Sequence, residues 1–272
     1  MLYNKLSLQE KEKKLITLMN SVFMDARFKD EINSIIAALS LTRSAIERAF
    51  LDYNIDVFNH DNSIYKETTI RAVLHLHNLI AGSWHISRQE AVCQLINLAQ
   101  PRSAIDLGFG VPSRYVFELL KDKNFQLTMC DYQHSAITFA EVLLHIWNPN
   151  WRSNIKLICK NIEEVQQCVS DYDLYISLHS IEHVTNPTQC MLDYIKFTAN
   201  NARFLLEIPI GPITPEHNIE WATVLEAQKW INELGLKIIH ERFTKVNPYI
   251  DLFAEPHEYN YGGYLLLCEK RL

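Results

Sequence analysis

Two regimes of apolar spacing divide this chain near residue 100. Before it, apolar residues recur at steps of three and four, as Leu15, Leu18, Met19, Val22, Phe23 and then Phe28, Ile32, Ile35, Ile36, Leu39, the spacing that lines one face of a helix. None of the nine prolines and only Gly82 of the seven glycines falls in the first 100 residues. Both residue types are costly inside helices, so their absence predicts an all-helical region. Helices are expected at 8–24, 28–40, 43–53, 64–81 and 87–99, with Ser44–Glu47 and Ser87–Glu90 reading as capping boxes at two of the starts.

From Pro101 onward, short apolar runs alternate with amphipathic stretches, the rhythm of βαβ units around a parallel sheet. Seven strands are predicted, at 103–107, 126–131, 155–159, 173–178, 202–208, 236–243 and 264–269. Helical stretches at 113–122, 134–147, 162–170, 187–200 and 221–234 separate the first six, the last of them closed by Gly235. No helix separates the last two, which should pair as an antiparallel hairpin at one edge. The expected fold is α/β: a Rossmann-like seven-stranded, mostly parallel sheet with an antiparallel last strand, preceded by an all-helical region. The domain division expected is 1–99 and 100–272.

Composition narrows the class. The chain has 272 residues, 48% of them hydrophobic, enough for a sizeable core, and nowhere do 18 apolar residues run together. The charged start has no apolar leader, so a soluble, cytoplasmic protein with no membrane partner is expected. Cysteines at 93, 130, 159, 168, 190 and 268 form no CxxC pair and read as reduced core residues. The first 95 residues balance 11 basic against 11 acidic side chains, so the net charge of −6 falls wholly on the remainder. An acidic region without a Lys/Arg-rich run would repel a phosphate backbone, and nucleic acid is not the expected partner.

The chemistry is concentrated in SAIDLGFGVPSRYVFELL, where a strand runs directly into Gly108-Phe-Gly110 and a helix follows. Glycine lets the backbone approach a ligand, and the helix start presents free N–H groups. Asp131 ends the next strand 21 residues after Gly110, where an acid can accept hydrogen bonds from both hydroxyls of a ribose. A dinucleotide site would want a third glycine, but Pro112 and Ser113 stand there. Asp106 beside the turn would also repel a pyrophosphate, yet could hold a cationic amino group.

These residues resemble the class I S-adenosylmethionine-dependent methyltransferases, in particular the small-molecule group similar to ubiquinone-biosynthesis methyltransferases. The resemblance covers about residues 100–270. It implies S-adenosylmethionine as cofactor, with Asp106, Gly108 and Gly110 around its methionine part. Asp131 would hold the ribose and Tyr132 the adenine. Asn161-Ile162 would meet the adenine edge, although the family usually has an acid where Asn161 stands. Leu178-His179 and the following Ser180-Ile-Glu182-His183-Val184 would pass under the cofactor toward the acceptor.

Methyl transfer from a sulfonium is an in-line displacement, so the protein must align the nucleophile and exclude water, and no metal is expected. Candidate catalytic groups are His217, His183 and Glu207, with Glu216 close by, because strand ends carry the acceptor in such sheets. Glu182-His183 also reads as a helix start, His179 as a packed ring under adenine, and His217 as part of a proline-interrupted loop over the pocket. His75, His77 and His85 read as structural, with no metal-ligand spacing. In the loop 244–263, Tyr249, Phe253, Tyr259 and Tyr261 stand beside Asp251, Glu255, His257 and Glu258, either lining a pocket for a small, cationic-leaning acceptor or packing the hairpin. The N-terminal helices serve as a lid, with Tyr65 and Arg88 toward the site, or as the interface of a homodimer. The expected activity is methyl transfer to N or O of a small-molecule acceptor; the alternative is a non-catalytic cofactor-binding or scaffold protein of the same fold.

Overall fold

The computed structural model describes residues 7–55, 67–80, 82–121, 124–165, 172–211, 217–245 and 262–271. The described chain opens with α1 (Leu8–Met24), α2 (Lys29–Ala38), α3 (Arg43–Ile55), α4 (Glu67–Ile80) and α5 (Gly82–Ala99). Their apolar faces meet in one core containing Leu15, Met19, Phe23, Ile35, Phe50 and Val73. The capping boxes fall elsewhere than expected. Thr42 caps α3 through the Ala45 N–H at 3.1 Å, leaving Ser44 inside the helix, and α5 begins at Gly82, five residues before Ser87. The reciprocal box is at Ser7 and Glu10, where α1 starts.

The rest of the described chain alternates β1 (Ser103–Leu107), α6 (Arg114–Leu119), β2 (Gln126–Asp131), α7 (His134–Trp147), β3 (Ile155–Cys159), α8 (Ile162–Val165), β4 (Leu174–Leu178), α9 (Pro187–Phe197), β5 (Arg203–Ile210), α10 (Val224–Glu233), β6 (Leu236–Lys245) and β7 (Gly262–Lys270). They form a seven-stranded sheet in the order β3-β2-β1-β4-β5-β7-β6. The pairs among β1 to β5 are parallel, while β7 runs antiparallel between β5 and β6. The last two strands thus form the expected edge hairpin, with β6 outermost.

Period-two alternation splits the core in two. Ile105, Leu107, Tyr175, Phe204, Leu206 and Leu266 pack against α8, α9 and α10 on one face. Ala104, Ile176, Leu205 and Leu267 pack against α5, α6 and α7 on the other. Ala91, Val92, Leu95 and Ile96 of α5 belong to this second core, so α5 covers the sheet directly, while α1 to α4 stack on the outside of α7 through Phe139 and Leu143. His75 of α4 is structural as expected: its Nε2 lies 2.7 Å from Glu31, which also accepts the Trp147 indole N–H at 2.6 Å. The described cysteines are free, with Cys130, Cys190 and Cys268 buried and Cys159 exposed, and Cys168 lies outside the described residues. No described helix is long and apolar enough to cross a membrane.

Candidate active site

The carboxyl ends of β1, β2, β4 and β5 converge where the chain order of the sheet reverses, between β1 and β4, the crevice in which such sheets bind ligands. The turn after β1 is pinched. Gly108 and Gly110 have φ of 75° and 59°, a region costly for residues with a Cβ, and the Gly108 N–H donates to Cys130 O at 2.8 Å. A Cβ on Gly108 would stand 2.6 Å from Cβ of Ser180, so the turn needs glycine for space as well as for conformation. Ser180 is itself fixed, donating to Leu107 O at 2.5 Å.

Two buried acids flank this turn. Asp131 accepts the Gly110 N–H at 2.9 Å on one oxygen and the Gln133 N–H at 2.9 Å on the other, which orients its carboxylate over the turn. Asp106, on the same face of the neighbouring strand, accepts the Tyr115 hydroxyl. Burial pushes the Asp106 carboxyl up to about 7, against the lowering effect of that hydroxyl.

The remaining expected cofactor residues divide. Tyr132 is 68% exposed, its ring presenting an open face beside Asp131. Ile162 is buried at the start of α8, its carbonyl accepting the Tyr194 hydroxyl at 2.6 Å. Asn161 caps α8, accepting the Glu163 N–H at 3.1 Å, with its amide nitrogen 3.3 Å from the Glu163 carboxylate. That side chain is engaged locally, where the resemblance implied a contact with adenine. Leu178 ends β4 half-buried, and His179 follows with φ of 53°.

His179 stands between two buried carboxylates, Nδ1 at 3.5 Å from Glu182 and Nε2 at 3.7 Å from Glu207. Burial works to lower its pKa, but Glu207 and Glu182 outweigh it and hold the ring up at about 9. Glu207 lies inside β5, opposite Leu178 and three residues before the strand ends, and is 1% exposed. It accepts Arg88 Nε at 2.5 Å. Burial opposes its ionisation, yet Arg88 and His179 hold its carboxyl down to about 2. Glu207 is thus enclosed and engaged by Arg88 on one oxygen and His179 on the other.

Glu182 and His183 form a 3-10 turn, Ile181–His183, in place of the expected helix start. Asn218 ties the segment after β5 to this turn: its N–H donates to Glu182 O at 2.7 Å, and its amide donates to the carbonyls of His183 and Val184 at 3.1 and 2.9 Å. This brings the His217 ring edge-on to His183, with centroids 4.8 Å apart.

Arg71 and Arg88 carry the helical region into the site. The Arg71 guanidinium donates to Gly110 O at 3.3 Å and to Ser135 Oγ at 3.4 Å, with Asp131 in its field. Sequence reasoning singled out Arg88 but missed Arg71, whose sole signal is a lone cation among the apolar positions of α4. Tyr65, Glu216, the side chains of His77 and His85, and the loop residues Tyr249, Asp251, Phe253, Glu255, His257, Glu258, Tyr259 and Tyr261 lie outside the described residues.

No protein-family model matches this chain, and no curated protein matches it. Solved structures do share its fold. The StiE O-MT structure aligns with a TM-score of 0.53 and 10% identity, over 79% of this chain and 80% of that one. The cyclase SpnF aligns with a TM-score of 0.52 and 11% identity, over 67% of this chain and 82% of that one. The chain therefore has the Rossmann-like fold found in methyltransferases, a fold that is also found in a protein named for another reaction.

Proposed function

We propose that this chain is an S-adenosylmethionine-dependent methyltransferase acting on N or O of a small acceptor. The observation that carries this reading is the glycine turn clasped by Asp131: a backbone with no room for a side chain at 108, and a buried carboxylate bonded to Gly110 N–H at 2.9 Å from the next strand. Such a pair fits a nucleoside whose ribose meets the acid and whose polar tail lies along the turn. Asp106, Gly108, Gly110, Asp131, Tyr132, Ile162, Leu178 and His179 would hold the cofactor, which supplies an electrophilic methyl on a sulfonium. The motif resemblance to the ubiquinone-biosynthesis group supports a small acceptor, as does the acidity of the sheet region.

The chain's own work is alignment and exclusion of water. A hydroxyl acceptor must lose a proton, and His217 and His183, at the open side of the β4 end, are the groups in reach of such a role; a neutral amine needs neither before attack. Glu207 and Arg88 hold His179 in place from below. Calorimetric titration with S-adenosylmethionine, followed by a search for S-adenosylhomocysteine formation with metabolite pools, tests the proposal. Binding with turnover on some acceptor is expected, and no binding would end it. Binding without turnover would favour the scaffold reading, which the locally engaged Asn161 supports.

A further inference from the structure

We propose that Glu182, His183 and His217 form a binding site for one divalent transition-metal ion. Each offers one ligand atom, and these atoms lie within 4.8 Å of one another. The second observation is independent of that spacing. Glu182 is 0% exposed, and neither of its carboxylate oxygens has a hydrogen-bond partner among the described residues. A buried carboxylate is normally satisfied by donors, an ion pair or a metal, because its lost hydration must be replaced. His179 compensates it only in part, through one long ion pair to a single oxygen with Nδ1 at 3.5 Å, while its other nitrogen stands 3.7 Å from Glu207. His183 Nε2 is 3.9 Å away, at the outer limit of an ion pair.

The donor set selects the ion. Two imidazoles and one carboxylate suit borderline cations such as Zn²⁺ or Mn²⁺, whereas Mg²⁺ and Ca²⁺ prefer oxygen ligands throughout. Ligands bound to one such ion at about 2.1 Å stand ~3–3.5 Å apart, so the widest separation in the cluster has to close by up to ~1.3–1.8 Å. Rotation of His183, whose side chain is 42% exposed, allows this, while the Asn218 hydrogen bonds keep His217 and the 3-10 turn together. Because Glu182 supplies the ion from the buried side and the two rings from the exposed side, coordination positions remain open outward. An oxygen donor, water or an acceptor hydroxyl, would fill them beside the end of β4. That role at the acceptor rests on the methyltransferase reading, and with the ion bound it would replace proton acceptance by His183 and His217: the ion would lower the pKa of the bound hydroxyl so that solvent takes its proton. The binding of the ion does not rest on that reading.

The test uses the full-length chain, stripped with chelator and titrated with Mn²⁺ while the electron paramagnetic resonance of free Mn²⁺ is followed, with Zn²⁺ as competitor. One saturable equivalent is expected. His217→Ala should weaken it by at least the ~100-fold that loss of even a supporting partner can cost, and His145→Ala, on the exposed side of α7, should leave it unchanged. Glu182→Gln should behave like His217→Ala; since Glu182 is buried, thermal melts accompany both, and His217→Ala alone decides the matter if Glu182→Gln fails to fold. Absence of a saturable site, or equal binding by wild type and His217→Ala, overturns the proposal. S-adenosylhomocysteine titrated into the same samples separates the two readings. Nucleoside binding without Mn²⁺ binding sinks the metal site alone, and the reverse sinks the methyltransferase alone.

Discussion

Arg88→Ala should destabilise the protein through a charge that it leaves behind. The Arg88 side chain is 13% exposed and that of Glu207 1%, with 2.5 Å between Nε and the carboxylate, so the pair is buried. Removing one partner of a buried pair costs ~3–5 kcal/mol, because the other charge loses its compensation without regaining water. His179, 3.7 Å from the same carboxylate, remains as a partial substitute and puts the expected loss near the lower end, about 3 kcal/mol. For 272 residues, an unfolding entropy of ~2.1 cal/mol/K per residue converts this into a fall in Tm of about 5 °C. The pH dependence adds a second signature. Glu207 is held at about 2, below its ordinary 4.5, so its contribution to wild-type stability is present above 4.5 and is lost as pH falls toward 2. Without Arg88 the folded carboxyl titrates higher, so the gap between wild type and variant should be full at neutral pH and narrow in acid. Thermal melts of the full-length chain between pH 3 and 8 measure both effects. A variant melting within about 1 °C of wild type at neutral pH would refute the reasoning, as would a gap that does not change with pH.

Other substitutions probe the glycine turn and its two acids. Asp131→Ala should weaken S-adenosylmethionine binding by one to two orders of magnitude, on the order of the 1.5–3 kcal/mol of a charged hydrogen bond, and unchanged calorimetric affinity would remove Asp131 from the site. Gly108→Ala forces a Cβ to 2.6 Å from Ser180 at a φ of 75°, so both cofactor binding and Tm should drop; a variant that binds normally would show that the turn yields. Asp106 has a folded pKa raised from 3.8 to about 7 by burial, so folding takes up a proton in that window and stability from this group falls as pH rises through it. Asp106→Asn should therefore gain on wild type between pH 5 and pH 8, and melts that differ equally at both values would contradict the raised pKa.

The sheet was legible because most of its parallel strands are short apolar runs separated by amphipathic stretches. β1, β2 and β3 begin and end on the predicted residues, and β7 extends the expected hairpin only by Gly262, Gly263 and Lys270. Helix starts were less legible, since Ser-x-x-Glu is a local pattern that a helix interior can also carry, as Ser44 and Ser87 do. The glycine turn could be read from one segment plus Asp131 because its parts are joined by two adjacent strands. The ionic cluster could not. Arg88, His179 and Glu207 come from α5, the end of β4 and the middle of β5, and meet only because α5 lies directly on the sheet. Nor does spacing along the chain mark His217 as a neighbour of His183; the Asn218 hydrogen bonds decide that. The division has a physical cause. A backbone site is written in residues that need unusual φ or close approach, which stand out in any sequence, whereas a site of ordinary charged side chains acquires its chemistry from burial. Glu182 shows this most plainly, since its type is common and only complete enclosure, with no hydrogen bond to either carboxylate oxygen among the described residues, makes it a candidate ligand.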